Sequence, residues 1–530
     1  MSVPRGATSR APARSAPDAT GSAGPAATWP GGITTALLVA LIAAGVVLRF
    51  VTTSPLWLDE ALSVNISRLP LADIPEALRH DGHPPLYYVL LHGWIEVFGT
   101  GDLAVRALAG VLSVATLPLA WVLGRRVGGR PLAWVLVVVL ALSPYALLYA
   151  TSARMYALLA LLVFAGWLLV DDALRAPAPW RLGALGVLSG VLLLTHYWSF
   201  WLLGAVLLLL GWVAWRGAED RRGPARRVAL AVCAGGILFL PWLPSFLDQA
   251  RHTGTPWGGL QRPMAIVATT LTEFGGGDYQ EGVLFGAVIL VLLVIGLLGR
   301  GVDERRVELD VATRSDMRIP ALLAGLTLTL GTLAAYATQS TYAARYASVL
   351  FPFVLLVVAA GVSRFVGPVA RNVVLGVVVV FSVIGAGYNA LVPRSQAEDI
   401  GEAVRARATP DDLVVICPDQ LGPSTSRELP DDLRRVVYPT LGPPDRVDWV
   451  DYAERNERAD PQEVGRELLA EADESAAIWL VASGDYRTLE GQCEELHSVL
   501  AVDRPSEPVI AENPDDFFEH ASLHRLAPAG

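Results

Sequence analysis

The sequence has no lysine; all 41 of its basic residues are arginine. Cysteine is nearly absent too: three in 530 residues cannot staple a small disulfide scaffold, so packing must hold the fold. Charge is scarce, at 17% of residues against about 25% in a typical soluble domain. Hydrophobic residues make up 53%, and the mean hydropathy is +0.44. These figures exclude an ordinary soluble domain and indicate a chain that lies mostly in a bilayer. The net charge is −10, and no nucleic-acid partner is expected.

Charge is scarcest in the long apolar runs. Eleven spans are expected: 33–51, 104–123, 131–150, 155–170, 182–198, 199–215, 228–247, 283–299, 319–338, 346–363 and 373–392. The stretch 182–215 is too long for one helix and divides at Thr195-His196-Tyr197-Trp198. No acidic residue lies well inside any of the eleven. Residues 1–30 are rich in Ala, Pro, Gly, Ser and Thr and read as a disordered cytoplasmic N-terminus. Ile33–Val51, at 19 residues, exceeds a typical signal-peptide core and no clear A-x-A site follows, so it reads as an uncleaved first span.

Arginine tests this count. With the N-terminus inside, Arg125, Arg126 and Arg130 fall on the cytoplasmic side. So do Arg175 and Arg181, the group Arg216–Arg227, the group Arg300–Arg318, and Arg364 with Arg371. The positive-inside rule is then obeyed throughout. A spanning Pro84–Phe98 would invert every later loop, so that stretch reads as a helix at the outer surface or dipping partway in. The outside holds the loop 52–103, the loop 248–282 and residues 393–530. This last region carries 30 acidic residues and 13 arginines, a net of −17, which leaves +7 on residues 1–392. It is patterned for folding: Asp399–Arg407 and Gln492–Leu500 read as helices, Leu413–Cys417 and Ala477–Ala482 as strands. The expected fold class is a mainly α polytopic membrane bundle with a small extracytoplasmic α/β C-terminal domain. Cys417 and Cys493 lie in that domain, either as a pair or as two buried thiols.

Few residues outside the spans can carry chemistry. Asp59 and Glu60 are adjacent carboxylates just beyond the first span, costly at a membrane surface unless solvated or used. Asp59 reads as a general base or as a helix cap. Glu60 reads as its orienting partner or as a solvated neighbour. In Gly82-His83-Pro84-Pro85-Leu86-Tyr87-Tyr88, two prolines fix a bend that puts His83 at headgroup level. Tyr87 and Tyr88 line the cavity or, like Trp94, anchor a helix at the interface. Arg154, in Thr151-Ser152-Ala153-Arg154-Met155-Tyr156, and Arg345, beside Tyr346, are arginines on the side the bias disfavours. A phosphate or a carboxylate such as Asp59 would partner them, or they snorkel to headgroups. His196 stands at the tip of the 182–215 hairpin.

Taken in order, these residues resemble the GT-C superfamily of polyprenyl-phosphate-sugar glycosyltransferases. The resemblance is to the branch with protein O-mannosyltransferases and lipid A aminoarabinose transferases (glycosyltransferase family 39-like, bacterial). It rests on Trp57-Leu58-Asp59-Glu60, His83-Pro84-Pro85-Leu86-Tyr87-Tyr88, Arg106-Ala107-Leu108 and Gly124-Arg125-Arg126. Ala153-Arg154-Met155-Tyr156, Thr195-His196-Tyr197, and Arg345-Tyr346 before Phe351-Pro352 complete the set. It covers about 33–365. One position departs: where relatives often carry an acidic residue, two before the Arg-x-Tyr motif, this chain has Ser152.

The resemblance implies that residues 31–392 form a catalytic membrane domain in which Asp59 is the base and Glu60 supports it. His83, Arg154 and Arg345 would bind the donor phosphate, and Tyr87, Tyr88, Tyr156, His196 and Tyr346 would line the cavity. The implied reaction moves mannose or another hexose or pentose from a polyprenyl-phosphate donor to a hydroxyl of a protein, cell-wall glycan or glycolipid, inverting the anomeric centre. No cofactor is implied; a divalent metal is compatible but not indicated. The competing reading is a transporter or flippase for a lipid-linked saccharide. Transporters commonly place ionisable residues at the bilayer midplane within inverted repeats, and neither feature is visible here.

Overall fold

A computed structural model describes residues 32–484 and 486–529. The disordered cytoplasmic segment expected at 1–30 lies outside the described residues. α1 (Gly32–Leu48) leads into three short helices, α2 (Leu58–Ser67), α3 (Ile74–Asp81) and α4 (Leu86–Phe98). α5 (Asp102–Leu142) is two antiparallel rods joined at Gly128 and Gly129, which leave helical geometry. Gly129 has φ 74°, a conformation that a side chain would strain. The returning rod passes so close that a Cβ on Gly124 would meet the Ala133 backbone at 2.6 Å.

The chain continues as α6 (Pro144–Ala150), α7 (Tyr156–Arg175), α8 (Pro179–Thr195) and α9 (Ser199–Arg216). α10 (Glu219–Ala234), α11 (Gly236–Phe239) and α12 (Leu243–His252) make one continuous rod with a 3-10 turn at Leu240–Trp242. α13 (Pro263–Phe274) and α14 (Gln280–Leu298) precede a hairpin of β1 (Gly299–Gly301) and β2 (Val307–Leu309). α15 (Arg318–Thr338), α16 (Phe351–Ser363) and α17 (Pro368–Leu391) close the bundle. Every one of the expected spans is helical. Among the described residues, seven helices are long and apolar enough to cross a membrane and four shorter ones are apolar.

Successive rods run antiparallel, so the turns sort to two ends. The arginine-rich turns 124–130, 175–181, 216–227, 299–318 and 364–371 share one end by connectivity; Asp59 is at the other. α4 does not cross. Its 13 residues rise about 20 Å against a core of about 30 Å. The segments before and after α4 both touch the C-terminal region, His80 through Asp448 and Asp102 through Arg427. Arg49 pins three rods. It is fully buried, and its guanidinium donates to Gly45 O, Ala141 O, Leu140 O and Ser113 Oγ at 2.6–3.0 Å.

Beyond the bundle lie α18 (Ala397–Arg407), β3 (Leu413–Cys417), α19 (Gly422–Glu428), β4 (Arg434–Val437), α20 (Tyr452–Glu457) and α21 (Pro461–Glu471). They are followed by β5 (Ile478–Ala482), α22 (Gln492–Leu500), β6 (Ser506–Ile510) and β7 (Ser522–Leu526). The sheet order is β4-β3-β5-β7-β6; β3 pairs parallel with β4 and β5, and β7 pairs antiparallel with β5 and β6. Alternate residues of β3 feed two cores. Leu413, Val415 and Cys417 face one, Val414 and Ile416 the other, as the two-residue period of a strand requires. All four elements read from the sequence here are present, within two residues. Cys417 and Cys493 are joined as a disulfide across 76 residues.

Closing a loop of 76 residues restricts the unfolded chain by about 4 kcal/mol in the chain-entropy model. The Cys417→Ala/Cys493→Ala variant is expected to lose protease resistance in residues 393–529 while the bundle stays intact. Equal resistance with and without the bond would show that this sheet needs no cross-link.

Candidate functional site

Four segments converge at the end of the bundle away from the arginine-rich turns. α2 starts at Leu58 because Pro55 and the extended Trp57 end the preceding strand-like link. That start puts Asp59 and Glu60 in the first turn, where a helix N-terminus favours negative charge. The two carboxylates then diverge. Glu60 is fully buried and receives Arg106 Nε and Nη2 at 2.8 and 2.7 Å. The Ala153 N–H donates to it at 2.8 Å, and Arg394 Nη1 lies 3.6 Å away. Burial alone would raise its pKa, but Arg106, Arg394 and the Ala153 N–H outweigh it and the net direction is down. The reading of Glu60 as a solvated neighbour is therefore corrected: it is walled in by two arginines.

Asp59 faces the open side, its side chain 16% exposed. Its Oδ2 is buried and accepts no hydrogen bond, while Arg154 Nη2 and Arg345 Nη1 stand 3.9 and 3.8 Å from it. The two guanidinium groups flank Oδ2 beyond hydrogen-bond distance and leave it open. Arg154 is held by its other contacts: Nη1 donates to Asp59 O at 3.1 Å and Ser63 Oγ at 2.9 Å, and Nη2 to His83 Nε2 at 3.0 Å. Because arginine only donates, His83 accepts at Nε2 and carries its proton on Nδ1, which donates to Asp81 Oδ2 at 2.8 Å. Burial would raise Asp81's pKa, but His83, Arg154 and the Tyr88 hydroxyl at 2.7 Å hold it below the usual range.

The aromatic residues form the floor. Tyr156 lies between Tyr149 (4.6 Å) and His196 (5.8 Å), and His196 is 5.4 Å from Tyr346. Arg345 sits over Trp257 at 5.1 Å and Tyr346 at 5.9 Å. His196 is buried among these rings, 4% exposed. Tyr87 is fully buried against Tyr88, 6.3 Å between ring centres. All ten residues selected from the sequence thus gather in one region. Ser152, at the departing position, accepts from Arg394 Nη1 at 3.0 Å. Among the described residues, no group of three or more His, Cys, Asp and Glu is placed to hold a metal ion.

Several participants were not selected from the sequence. Arg394 donates to Thr151 and Ser152 and joins that loop to Glu60. Glu273, at the end of α13, accepts from the Tyr149 hydroxyl at 3.0 Å, and burial raises its pKa. Glu519 accepts from the Leu58 N–H at 3.1 Å and the Ser424 hydroxyl at 2.5 Å. Burial pushes Glu519 up to about 7, against the pull of Ser424, Ser395 and the Leu58 N–H, and nearby Asp59 adds to the rise. None had a local signal, since each acts across a long sequence separation.

No protein-family model and no curated protein matches the sequence. Solved structures share its architecture. The crystal structure of ArnT from Cupriavidus metallidurans bound to undecaprenyl phosphate aligns with a TM-score of 0.56 at 16% identity, over 93% of this chain and 98% of that one. The same protein in the apo state gives a TM-score of 0.57 at 16% identity with the same coverage, 93% and 98%. An Archaeoglobus fulgidus oligosaccharyltransferase in complex with Zn and sulfate is more distant, at TM-score 0.48 and 11% identity over 83% of this chain and 68% of that one. At such identities the likeness is one of fold. This chain has an ArnT-like fold, a multi-pass membrane bundle bearing a small C-terminal sheet.

The buried pair gives a direct test. Arg106→Ala strands the Glu60 charge, a loss of about 3–5 kcal/mol for an uncompensated buried ion. Folded yield in membranes should fall sharply, and Glu60→Gln/Arg106→Met should recover much of it. Normal yield from Arg106→Ala would show that Glu60 is paired elsewhere.

Proposed function

We propose that the chain is a membrane glycosyltransferase that moves a sugar from a polyprenyl-phosphate carrier to a hydroxyl acceptor, with Asp59 as general base and inversion at the anomeric carbon. One observation carries this reading: a carboxylate oxygen, free of hydrogen bonds, between two arginines at 3.8 and 3.9 Å. A sugar or side-chain hydroxyl is a weak nucleophile, and a charged carboxylate within reach takes its proton as the new bond forms. The departing phosphate gains negative charge, which Arg154 and Arg345 are placed to offset. His83 reaches the phosphate only if Arg154 turns from Nε2; in the observed contacts it orients Arg154.

The site lies at one end of the bundle, as a donor with its chain in the bilayer and its head at the surface needs. ArnT, which shares the fold, was crystallised with undecaprenyl phosphate, which supports this class of donor. The same convergence at a bundle end argues against a transporter, whose binding groups would lie near the midplane. We assign the site and the C-terminal sheet to the outer face of the cell membrane; the disulfide and the arginine-rich opposite end support this. The acceptor is a protein, cell-wall glycan or glycolipid, and the sugar is mannose or another hexose or pentose.

Single cysteines at Gln280 and Val450 should react with an impermeant maleimide in intact cells. Labelling only after permeabilisation would reverse the orientation. For the chemistry, purified chain is given undecaprenyl-phosphate mannose, arabinose, glucose or galactosamine with a membrane extract as acceptor. Transfer from one donor is expected; transfer from none counts against the donor class. Asp59→Asn should insert normally and lower turnover by about 10²-fold or more. Arg345→Gln should lower kcat/KM for the donor, with a fall in kcat because the arginine offsets charge that develops on the departing phosphate. Undiminished turnover by Asp59→Asn would end the carboxylate mechanism.

A further inference from the structure

The C-terminal sheet reverses its winding between β3 and β5. The chain leaves β3 for β4 on one side and returns to β5 on the other, both parallel to β3. In open α/β sheets, the crevice beyond the carboxyl ends of the strands at such a reversal is the usual place for a ligand. Here the chain's own α2 start comes to that neighbourhood. Leu58 belongs to the same buried cluster as Cys417 and Ala482, the last residues of β3 and β5. Trp57 packs edge-on against Phe518, ring centres 5.1 Å apart.

The polar contact is more specific. Trp57 is the N-cap of α2 and gives the helix no side-chain cap. The first N–H groups of a helix have no partner within it. Glu519 supplies one, its Oε2 accepting from the Leu58 N–H at 3.1 Å across 461 residues. Its Oε1 is held by the Ser424 hydroxyl at 2.5 Å, and the residue is 3% exposed. The cap therefore belongs to the sheet unit and is rigid. One residue beyond the capped amide is Asp59.

We propose that Glu519 is a positioning residue for the transfer reaction: by capping α2 from the C-terminal unit, it fixes Asp59 against Arg154 and Arg345. This rests on the reading of Asp59 as the base. It gives the C-terminal unit a share in catalysis that does not require it to touch the substrate. A misplacement of about 1 Å at a reacting group can cost about 10²-fold in rate, so a small release of α2 is enough.

The test uses the full-length chain in nanodiscs with whichever of the four undecaprenyl-phosphate sugars it turns over. Glu519→Leu should lower kcat by about 10- to 100-fold with little change in donor KM. Glu519→Gln keeps an acceptor for the Leu58 N–H and should stay within a few-fold of the parent. In an Asp59→Asn background, Glu519→Leu should cost almost nothing more, because the residue acts through Asp59. If Glu519→Leu does not fold, Phe518→Ala on the exposed side of the same contact should lower kcat in the same direction, and no loss there overturns the proposal. Parental rates in Glu519→Leu, or the same loss with and without Asp59, overturn it too. Silence of Asp59→Asn instead strikes the base assignment itself.

Discussion

A carboxylate without solvent costs several kcal/mol unless other groups replace the water. Around Glu60 four donors do so: two from Arg106, the Ala153 N–H and, at longer range, Arg394. They come from α5, the loop before α7 and the link after α17, so one buried charge ties three distant segments to α2. Arg106 further donates to Ser54 O and Pro55 O at 2.6 and 2.9 Å, which fixes the link by which the chain enters α2. Asp59 follows from this. Being adjacent on a helix, it must point about 100° away from Glu60, out of the ion pair and into the region of Arg154 and Arg345. The expensive residue of the pair is thus structural, and it aims the inexpensive one.

Arginine suits this architecture in a way lysine could not. Arg49, Arg106, Arg154 and Arg394 each make several contacts in different directions, many of them to carbonyl oxygens. A planar fork with five donors spreads its charge over such contacts and stays protonated when buried, whereas an ammonium is a compact, strongly hydrated point charge. At the edge of a bilayer, where helix ends leave carbonyls without partners, that fork satisfies the backbone and carries charge at once. The same property lets Arg154 hold His83, Ser63 and the Asp59 backbone while facing the Asp59 carboxylate.

The bundle was legible because length and hydropathy act locally: every expected span is a helix. α13 was not legible, since Pro263–Phe274 has only 12 residues and no flanking charge pattern to mark it. In the C-terminal region, Leu413–Cys417 and Ile478–Ala482 announced themselves as buried parallel strands with continuous apolar runs. β6 and β7, with exposed or mixed faces, did not. In the site, Asp59, His83, Arg154 and Arg345 stood out by their order along the chain. Which of Asp59 and Glu60 would be buried could not be read, because adjacent residues share one local context and only the fold supplies Arg106. Arg394 and Glu519 were invisible for the same reason.

The charge distribution poses a last physical question. The C-terminal region carries −17 and touches the start of α2 beside the site proposed to bind a phosphate. Distance decides between the two effects. Two unit charges 4 Å apart interact by roughly 4 kcal/mol at an effective dielectric of about 20, while at about 20 Å in water the figure is roughly 0.2 kcal/mol before salt is counted. The Debye length of about 8 Å at physiological ionic strength removes most of that remainder. Many of the unit's acidic groups are also matched locally, as Asp448 is by His80 and Arg455 and Asp451 is by His252. On the proposed function, a donor phosphate at Arg154 and Arg345 would interact with them at contact range and far less with any acidic group a Debye length or more away. Glu519 is the exception, since it caps α2 next to Asp59, and burial pushes its pKa up to about 7. Glu519, raised by burial, thus adds less negative charge beside the proposed phosphate site than a solvated carboxylate would.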